Sequence, residues 1–283
     1  MSIQEKSIYG LVGHPVTHSL SPLMHNAAFA HLKMNAEYKL FDLSPEEVKS
    51  FLSTLHEKNI SGLNVTIPYK ERVFSLLTSV STEARLIGAV NTIKVEGIKI
   101  EGFNTDGDGF LRHLSEGLKF SPEAKTVALI GAGGAARAVS VSLGKAKAKS
   151  VSIYDVDQKK CEALILHLAA NFPNTKFLQA GSINELNISN SNLLVNATPV
   201  GMKESEPCLV EEGVAHKDLL VYDLVYVPQE TKLLQCAKKN GARISNGLGM
   251  LLYQGMIAFE IWTGLPAPKK IMQDALKKGV NKL

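Results

Sequence analysis

At 283 residues, 45% hydrophobic and 20% charged, the chain has an ordinary globular composition and is too long for most single cores, so two domains are expected. A net charge of +4 with no long basic run gives no footing for nucleic acid or an anionic membrane surface, and no apolar stretch reaches spanning length. The three cysteines (Cys161, Cys208, Cys236) are scattered and form no CxxC pair, which argues against zinc and against a disulfide framework. With no signal-peptide core at the N-terminus, the expected compartment is the reducing cytoplasm.

In chain order, residues 7–12 read as a short strand ending at Gly13, and Ser21-Pro22 opens a helix with Ser21 as a candidate cap. Residues 36–43 form a second strand. Ser44-Pro45-Glu46-Glu47 repeats the helix-start signal, with Glu47 placed to close a capping box. A third strand, 62–67, stops at Pro68, and helix propensity resumes over 70–77. This alternation implies a small, mostly parallel sheet with helices on its faces. Two apolar runs in 89–103 flank Glu96-Gly97 as a hairpin, and a helix follows over 110–118.

The apolar run 127–130 then ends abruptly in glycine, and a small-residue helix follows over 134–143. Strand, glycine turn and helix together are the pattern of a dinucleotide site. Gly131 permits the tight turn, Gly133 the close approach of backbone to pyrophosphate, and Ala136 the packing of helix on strand. The helix N-terminus offers unpaired N–H groups and partial positive charge to phosphates. Beyond it, strands are expected at 151–154, 176–179, 193–196 and 219–224. Helices are expected at 157–171 and 229–240, the latter stopped by Gly241. A long apolar helix runs to Thr263 and a last one opens at Pro268. With no strand between them, these two are expected to fold back on the first domain and leave a ligand cleft. The fold class is α/β with two domains: an N-terminal open α/β substrate domain over 1–108, a Rossmann-type nucleotide domain over 109–246, and returning helices over 247–283.

Short polar clusters fall at strand ends of the first domain, where open α/β sheets bind ligands. They contain Ser19 and Ser21; Asn64, Thr66 and Lys70; Asn91 and Thr92; and Asn104, Thr105 and Asp106. Hydroxyls, amides, one lysine and one aspartate suit a polyhydroxylated substrate with a proton to move. His14, His18 and His25 lie close together, but no carboxylate or cysteine completes a ligand set, so they read as packing or hydrogen-bonding groups. Taken singly, each residue has an ordinary alternative: Ser21 and Asp106 as helix caps, Asn64 and Thr66 as sheet-edge polar groups, Lys70 as a solvated lysine.

Their joint order says more. GHPVTHSLSP at 13–22, NVTIPYKE at 64–71, GAVNT at 88–92, NTDG at 104–107, GAGGAAR at 131–137, NATPVGM at 196–202 and GLGM at 247–250 resemble the shikimate dehydrogenase family, over essentially the whole chain. The resemblance implies an enzyme interconverting shikimate and 3-dehydroshikimate with a nicotinamide nucleotide, as a monomer or homodimer. It implies that Ser19, Ser21 and Tyr226 hold the substrate carboxylate, and that Thr66, Asn91 and Gln254 bond the ring hydroxyls. Lys70 then exchanges the proton at the C3 oxygen with help from Asp106. Gly131, Gly133, Gly134, Ala135, Thr198, Val225, Gly247 and Met250 contact the cofactor. The chemistry is coherent: oxidising an alcohol removes a hydride, which the nicotinamide accepts, and a proton, for which acid–base help is worth roughly 10²–10⁴-fold. An opposite charge beside a lysine favours the ammonium, so the pair also serves to orient the hydroxyl.

One segment departs from the family. Many members place an Asn-Arg-Thr type segment after the second strand of the nucleotide domain, and its arginine meets the 2′-phosphate of NADP. Here Tyr154-Asp155-Val156-Asp157 stands instead, with Asp155 about twenty residues past the glycine loop, the interval for bonding a ribose 2′-hydroxyl. Two like charges ~4 Å apart cost up to ~4 kcal/mol near a surface, and ~1.4 kcal/mol is already tenfold. NAD is therefore expected over NADP, against the counter-argument that Lys159-Lys160 reach a phosphate. Serine at both 19 and 21 looks like the shikimate-type pattern, which favours shikimate over quinate. The alternatives are an NAD-linked quinate/shikimate dehydrogenase of catabolic type and, from another class, a non-catalytic dinucleotide sensor, which leaves Lys70 and Asp106 without a purpose.

Overall fold

The computed structural model describes residues 5–211 and 213–281. The chain divides into two compact units, one of Met1–Gly109 with Leu251–Leu283, the other of Phe110–Met250. The first unit begins with β1 (Ser7–Gly13), α1 (Ser21–His31), β2 (Ala36–Asp42), α2 (Pro45–Ser53), β3 (Ile60–Val65), α3 (Lys70–Leu76), α4 (Thr82–Ile87), β4 (Thr92–Glu96) and β5 (Lys99–Phe103). Its sheet runs β2-β1-β3-β4-β5, with β1 parallel to β2 and β3, and β4 antiparallel to both β3 and β5. The sheet is thus mostly parallel in direction, with β4 alone reversed. Only Gly97 and Ile98 separate β4 from β5, and a link that short can only reverse the strand. The capping box of α2 forms, with Ser44 N–H donating to Glu47 Oε2 at 2.8 Å. Ser21 is not a cap: it is the first residue of α1, and its N–H donates to Ser19 Oγ at 3.2 Å.

α5 (Asp106–Arg112) starts earlier than the expected 110–118 and passes into a π-helical turn at His113–Gly117. The second unit then follows the expected order, with β6 (Thr126–Ile130), α6 (Gly134–Lys145), β7 (Ser150–Tyr154), α7 (Gln158–Asn171), β8 (Lys176–Gln179), β9 (Leu193–Asn196), β10 (Leu220–Asp223) and α8 (Lys232–Lys239), and adds an unexpected short strand, β11 (Arg243–Ser245). α8 begins at Lys232 rather than 229 because Thr231 caps it, accepting the Leu234 N–H. All strands are parallel in the order β11-β10-β9-β6-β7-β8, so the order reverses between β6 and β9. This is the Rossmann-type sheet, and ligands of such sheets lie at the carboxyl ends of the strands beside the reversal.

α9 (Leu248–Thr263) and α10 (Lys269–Val280) complete the chain. They return to the first unit, where Trp262 Nε1 donates to the Ile93 carbonyl at 2.9 Å and α10 packs along α1. Where α9 crosses α5, a Cβ on Gly109 would stand 2.6 Å from the Gln254 backbone nitrogen. Only glycine permits that approach, which brings Gln254 beside the ends of β4 and β5. Among the described residues no helix is long and apolar enough to cross a membrane.

Candidate functional site

In the first unit the carboxyl ends of β1, β3 and β5 and the start of β4 meet the first turn of α3. The register sets Asn64 opposite Thr92, and Thr92 opposite Phe103, so the polar residues just beyond each strand are drawn together. Asn91 is the hub and is buried. Its Nδ2 donates to Thr105 Oγ1 at 2.9 Å, Asp106 Oδ1 at 3.0 Å and Gln254 Oε1 at 3.3 Å. Its Oδ1 accepts from the Thr105 N–H at 2.8 Å and from Thr92 Oγ1 at 2.9 Å. Asn64 braces it from below, accepting from Tyr38 OH at 2.8 Å and donating to the Asn91 carbonyl at 3.3 Å.

Lys70, the first residue of α3, reaches this cluster. Its Nζ donates to Asp106 Oδ2 at 2.6 Å, with side-chain exposures of only 16% and 6%. The aspartate thus uses one oxygen for the lysine and the other for Asn91. Two ammonium donors remain on Lys70 for a ligand oxygen. Four of the residues singled out from sequence (Lys70, Asp106, Asn91 and Gln254) therefore share one network. In the same unit Ser19 lies between β1 and α1, Ser21 opens α1 and Thr66 follows β3, with the Thr66 methyl against Gly13 beside Val16. Among the described residues no side-chain bond ties them to Asn91. Tyr226 belongs to the second unit, beyond β10, and burial raises its hydroxyl above the usual phenol range.

Histidines contribute little to this chemistry. His14 pairs with Asp42 at 2.6 Å on the surface, whereas His25 is fully buried and stacked on Tyr38 with ring centroids 4.5 Å apart. Neither His25 nitrogen has a partner, and burial pushes its pKa down to about 3. Among the described residues no group of three His, Cys, Asp or Glu is placed to hold a metal.

In the second unit, Gly131 takes φ +113°, a conformation that L side chains avoid, and its N–H donates to the Tyr154 carbonyl at 2.7 Å. A Cβ there would also press on Ala197 and Thr198 at 3.2 Å. Gly133 is different: it caps α6 with ordinary backbone angles, and a Cβ on it would meet nothing within 4 Å. That open space at the N-terminus of α6, lined by the N–H groups of Gly134 and Ala135, fits a pyrophosphate. Asp155 is tied to the same loop, its Oδ2 accepting the Ala132 N–H at 2.6 Å and its Oδ1 the Asp157 N–H at 2.9 Å. Both oxygens keep a further lone pair for a ribose hydroxyl. Val156 next to it is 87% exposed.

Across the strand reversal, Thr198 Oγ1 donates to Asn196 Oδ1 at 2.7 Å and Gly247 N–H donates to the Val225 carbonyl at 3.2 Å. Met250 is buried, and its backbone N–H donates to the hydroxyl of Tyr222, which His113 Nδ1 meets at 2.6 Å. Tyr222, His113 and the buried Asp223 escaped the sequence reading. Tyr222 and Asp223 had one available signal, a phenol and a carboxylate inside the apolar run 219–224, where a buried polar group needs partners.

Comparison with known proteins agrees with this geometry. A family model described as the shikimate dehydrogenase substrate binding domain matches residues 11–93, and one described as the shikimate 5'-dehydrogenase C-terminal domain matches residues 247–277. A protein of Methanopyrus kandleri named shikimate dehydrogenase (NADP(+)) is 46% identical over 96% of this chain and 95% of its own. A shikimate dehydrogenase solved in complex with NADP+ superposes with a TM-score of 0.90 at 39% identity, covering 97% of this chain and 96% of that one. A shikimate 5-dehydrogenase of Listeria monocytogenes, solved in complex with shikimate and NAD, gives 0.86 at 33% identity, covering 98% and 100%.

Proposed function

The chain belongs to the shikimate dehydrogenase family, and from that premise we propose which of its residues carry the reaction and which nucleotide it prefers. The enzyme is an NAD(P)-dependent oxidoreductase acting on the CH–OH group of shikimate. The bound nicotinamide supplies hydride acceptance in one direction and donation in the other.

Within the first unit, Lys70 moves the proton. In reduction its ammonium donates to the oxygen that gains negative charge, and in oxidation the amine takes the hydroxyl proton back. Asp106 aims the lysine, and Asn91 fixes Asp106 by holding its second oxygen. Gln254 and Thr66 bond the neighbouring ring hydroxyls, while Ser19 and Ser21 take the carboxylate. The observation that carries this reading is the 2.6 Å contact between Lys70 and Asp106, nearly buried and held from behind by Asn91. A buried ion pair with no catalytic purpose is a poor source of stability, and a solvated lysine would not be held this way.

On the second unit, Gly131, Gly133, Gly134 and Ala135 receive the pyrophosphate. Asp155 takes the adenine ribose, and Thr198, Val225, Gly247 and Met250 line the nicotinamide end. The preference is for NAD. Asp155 places a carboxylate beside the glycine loop, and the exposed Val156 follows it in the segment where the family resemblance implies a phosphate-reading arginine. The relatives named for NADP(+) stand against this, and the structure bound to NAD stands with it. Nicotinamide absorbance with shikimate and with quinate, against NAD and NADP, tests the whole reading. Expected is a kcat/KM at least tenfold higher with NAD than NADP, and higher with shikimate than quinate. A tenfold advantage for NADP overturns the cofactor assignment, and a higher value for quinate overturns the substrate assignment.

A further inference from the structure

Asp223, the last residue of β10, is fully buried, and the reaction as described makes no use of it. Its partners are all neutral. Oδ1 accepts from Asn196 Nδ2 at 2.9 Å and from the Val225 N–H at 3.0 Å, and Oδ2 accepts from Thr231 Oγ1 at 2.6 Å. A carboxylate desolvated without a cation is costly, and burial raises its pKa. A residue with no task beyond filling space there would more cheaply be apolar.

What hangs from it is one end of the cofactor site. With its Nδ2 committed to Asp223 and to the Val200 carbonyl, Asn196 is left with only one orientation, in which Oδ1 accepts both the N–H and the hydroxyl of Thr198, at 3.0 and 2.7 Å. On the other side, Asp223 fixes the Val225 N–H, and the Val225 carbonyl accepts the Gly247 N–H. Thr198, Val225 and Gly247 come from three separate loops, and each is joined to this carboxylate either directly or through one intermediate. None of these bonds reaches residues 131–135 or Asp155: Gly131 packs against Ala197 and Thr198, but Asp155 and the Tyr154 carbonyl supply the glycine loop's own hydrogen bonds.

We infer that Asp223 is a positioning residue that sets the nicotinamide end of the cofactor site independently of the pyrophosphate end. The inference rests on the proposal that Thr198, Val225 and Gly247 line the nicotinamide. Removing the carboxylate releases the three loops together, so the nicotinamide ring loses its alignment for hydride transfer while the rest of the nucleotide still binds.

The experiment compares wild type, Asp223→Ala and Asp223→Asn in two measurements: calorimetric affinity for ADP-ribose, which lacks the nicotinamide, and steady-state shikimate oxidation with protio substrate and with substrate deuterated at the reacting carbon. Asp223→Ala is expected to keep its ADP-ribose Kd within about threefold. Its kcat is expected to fall at least tenfold, with a larger deuterium isotope effect on kcat. Asp223→Asn recovers most of kcat, because its oxygen can face the two N–H donors while its amide turns to the Thr231 hydroxyl oxygen, which has a second lone pair beside the one that accepts the Leu234 N–H. Loss of ADP-ribose binding in step with kcat, an unchanged kcat in Asp223→Ala, or no recovery in Asp223→Asn overturns the inference. If Asp223→Ala cannot be obtained folded, Thr231→Val unties Oδ2, and with it the cap of α8 at the Leu234 N–H, and is held to the same readouts: an ADP-ribose Kd within about threefold beside a fallen kcat and a larger isotope effect. Wild type that binds ADP-ribose but oxidises no shikimate would instead overturn the reading of the site on which the inference rests.

Discussion

The two units solve the problem of building a site in opposite ways. In the first, the polar groups are side chains that satisfy one another: Asn91 alone bonds Thr92, Thr105, Asp106 and Gln254. In the second, the proposed nucleotide end is mostly backbone, namely the open N-terminus of α6 and a glycine in a conformation other residues avoid. Interlocked side chains give a fixed geometry but make each member indispensable, because removing one leaves others buried without a partner. Backbone donors survive most side-chain changes, so residues around them are free to tune selectivity.

The sharpest way to break this contrast is Lys70→Ala. If the first unit's network exists to aim one proton carrier, kcat should fall by roughly 10²–10⁴-fold. NAD affinity, measured by calorimetry, should stay near wild type, since the groups proposed to hold the pyrophosphate and the ribose, the N-terminus of α6 and Asp155, belong to the second unit. A variant that loses cofactor affinity together with kcat would show that the two sites are not separable in this way.

The next effect in size concerns what lies beneath the network. His25 stacks on Tyr38, whose hydroxyl holds Asn64. Buried without a partner, its imidazole has a pKa lowered from 6.5 to about 3. A histidine whose folded pKa is depressed favours unfolding as pH drops below the unfolded value. Stability is therefore lost progressively between pH 6.5 and about 3, at roughly 1.4 kcal/mol per pH unit, or about 2 kcal/mol by pH 5. His25→Leu shifts stability by a constant amount through its different packing, but it removes that slope. Urea unfolding of both proteins at pH 7 and pH 5 reads the difference, and parallel losses on acidification would rule the account out.

How much of this was legible in the chain follows the same division. The parallel sheet of the second unit was readable because fully buried strands are continuous apolar runs and the glycine turn has a fixed place between strand and helix. The hairpin 92–103 was readable from Gly97. Short elements such as α4 and β11 were missed because so few residues carry no period, and the π turn at His113–Gly117 has no local signature. Lys70, Asp106 and Asn91 stood out as polar residues at strand ends, but their roles came from resemblance and not from spacing. The partnership of Asn91 with Gln254 bridges 163 positions and depends on Gly109, a close approach that no pattern announces. Asp223 was overlooked because a lone acid in an apolar run reads as the end of a strand.

The smallest expected effect sharpens the contrast from the nucleotide side. Asp155 and Val156 are neighbours but are not equally replaceable. Asp155 accepts two backbone N–H groups, from Ala132 and Asp157. An asparagine there would turn its own amide hydrogens against one of them, disturb the glycine loop and weaken both nucleotides. Val156 is 87% exposed. Val156→Arg therefore adds a guanidinium, able to pair with a 2′-phosphate, at no cost to the loop. Discounted for solvent screening and for the Asp155 carboxylate alongside, the gain is about 1.4 kcal/mol, or a tenfold rise in kcat/KM with NADP relative to NAD. Shikimate KM and thermal stability should not move, because neither the Asn91 network nor the loop bonds are touched. An unchanged NADP-to-NAD ratio in Val156→Arg would mean that cofactor choice is set elsewhere, with the first turn of α7 and Lys159 the next place to substitute.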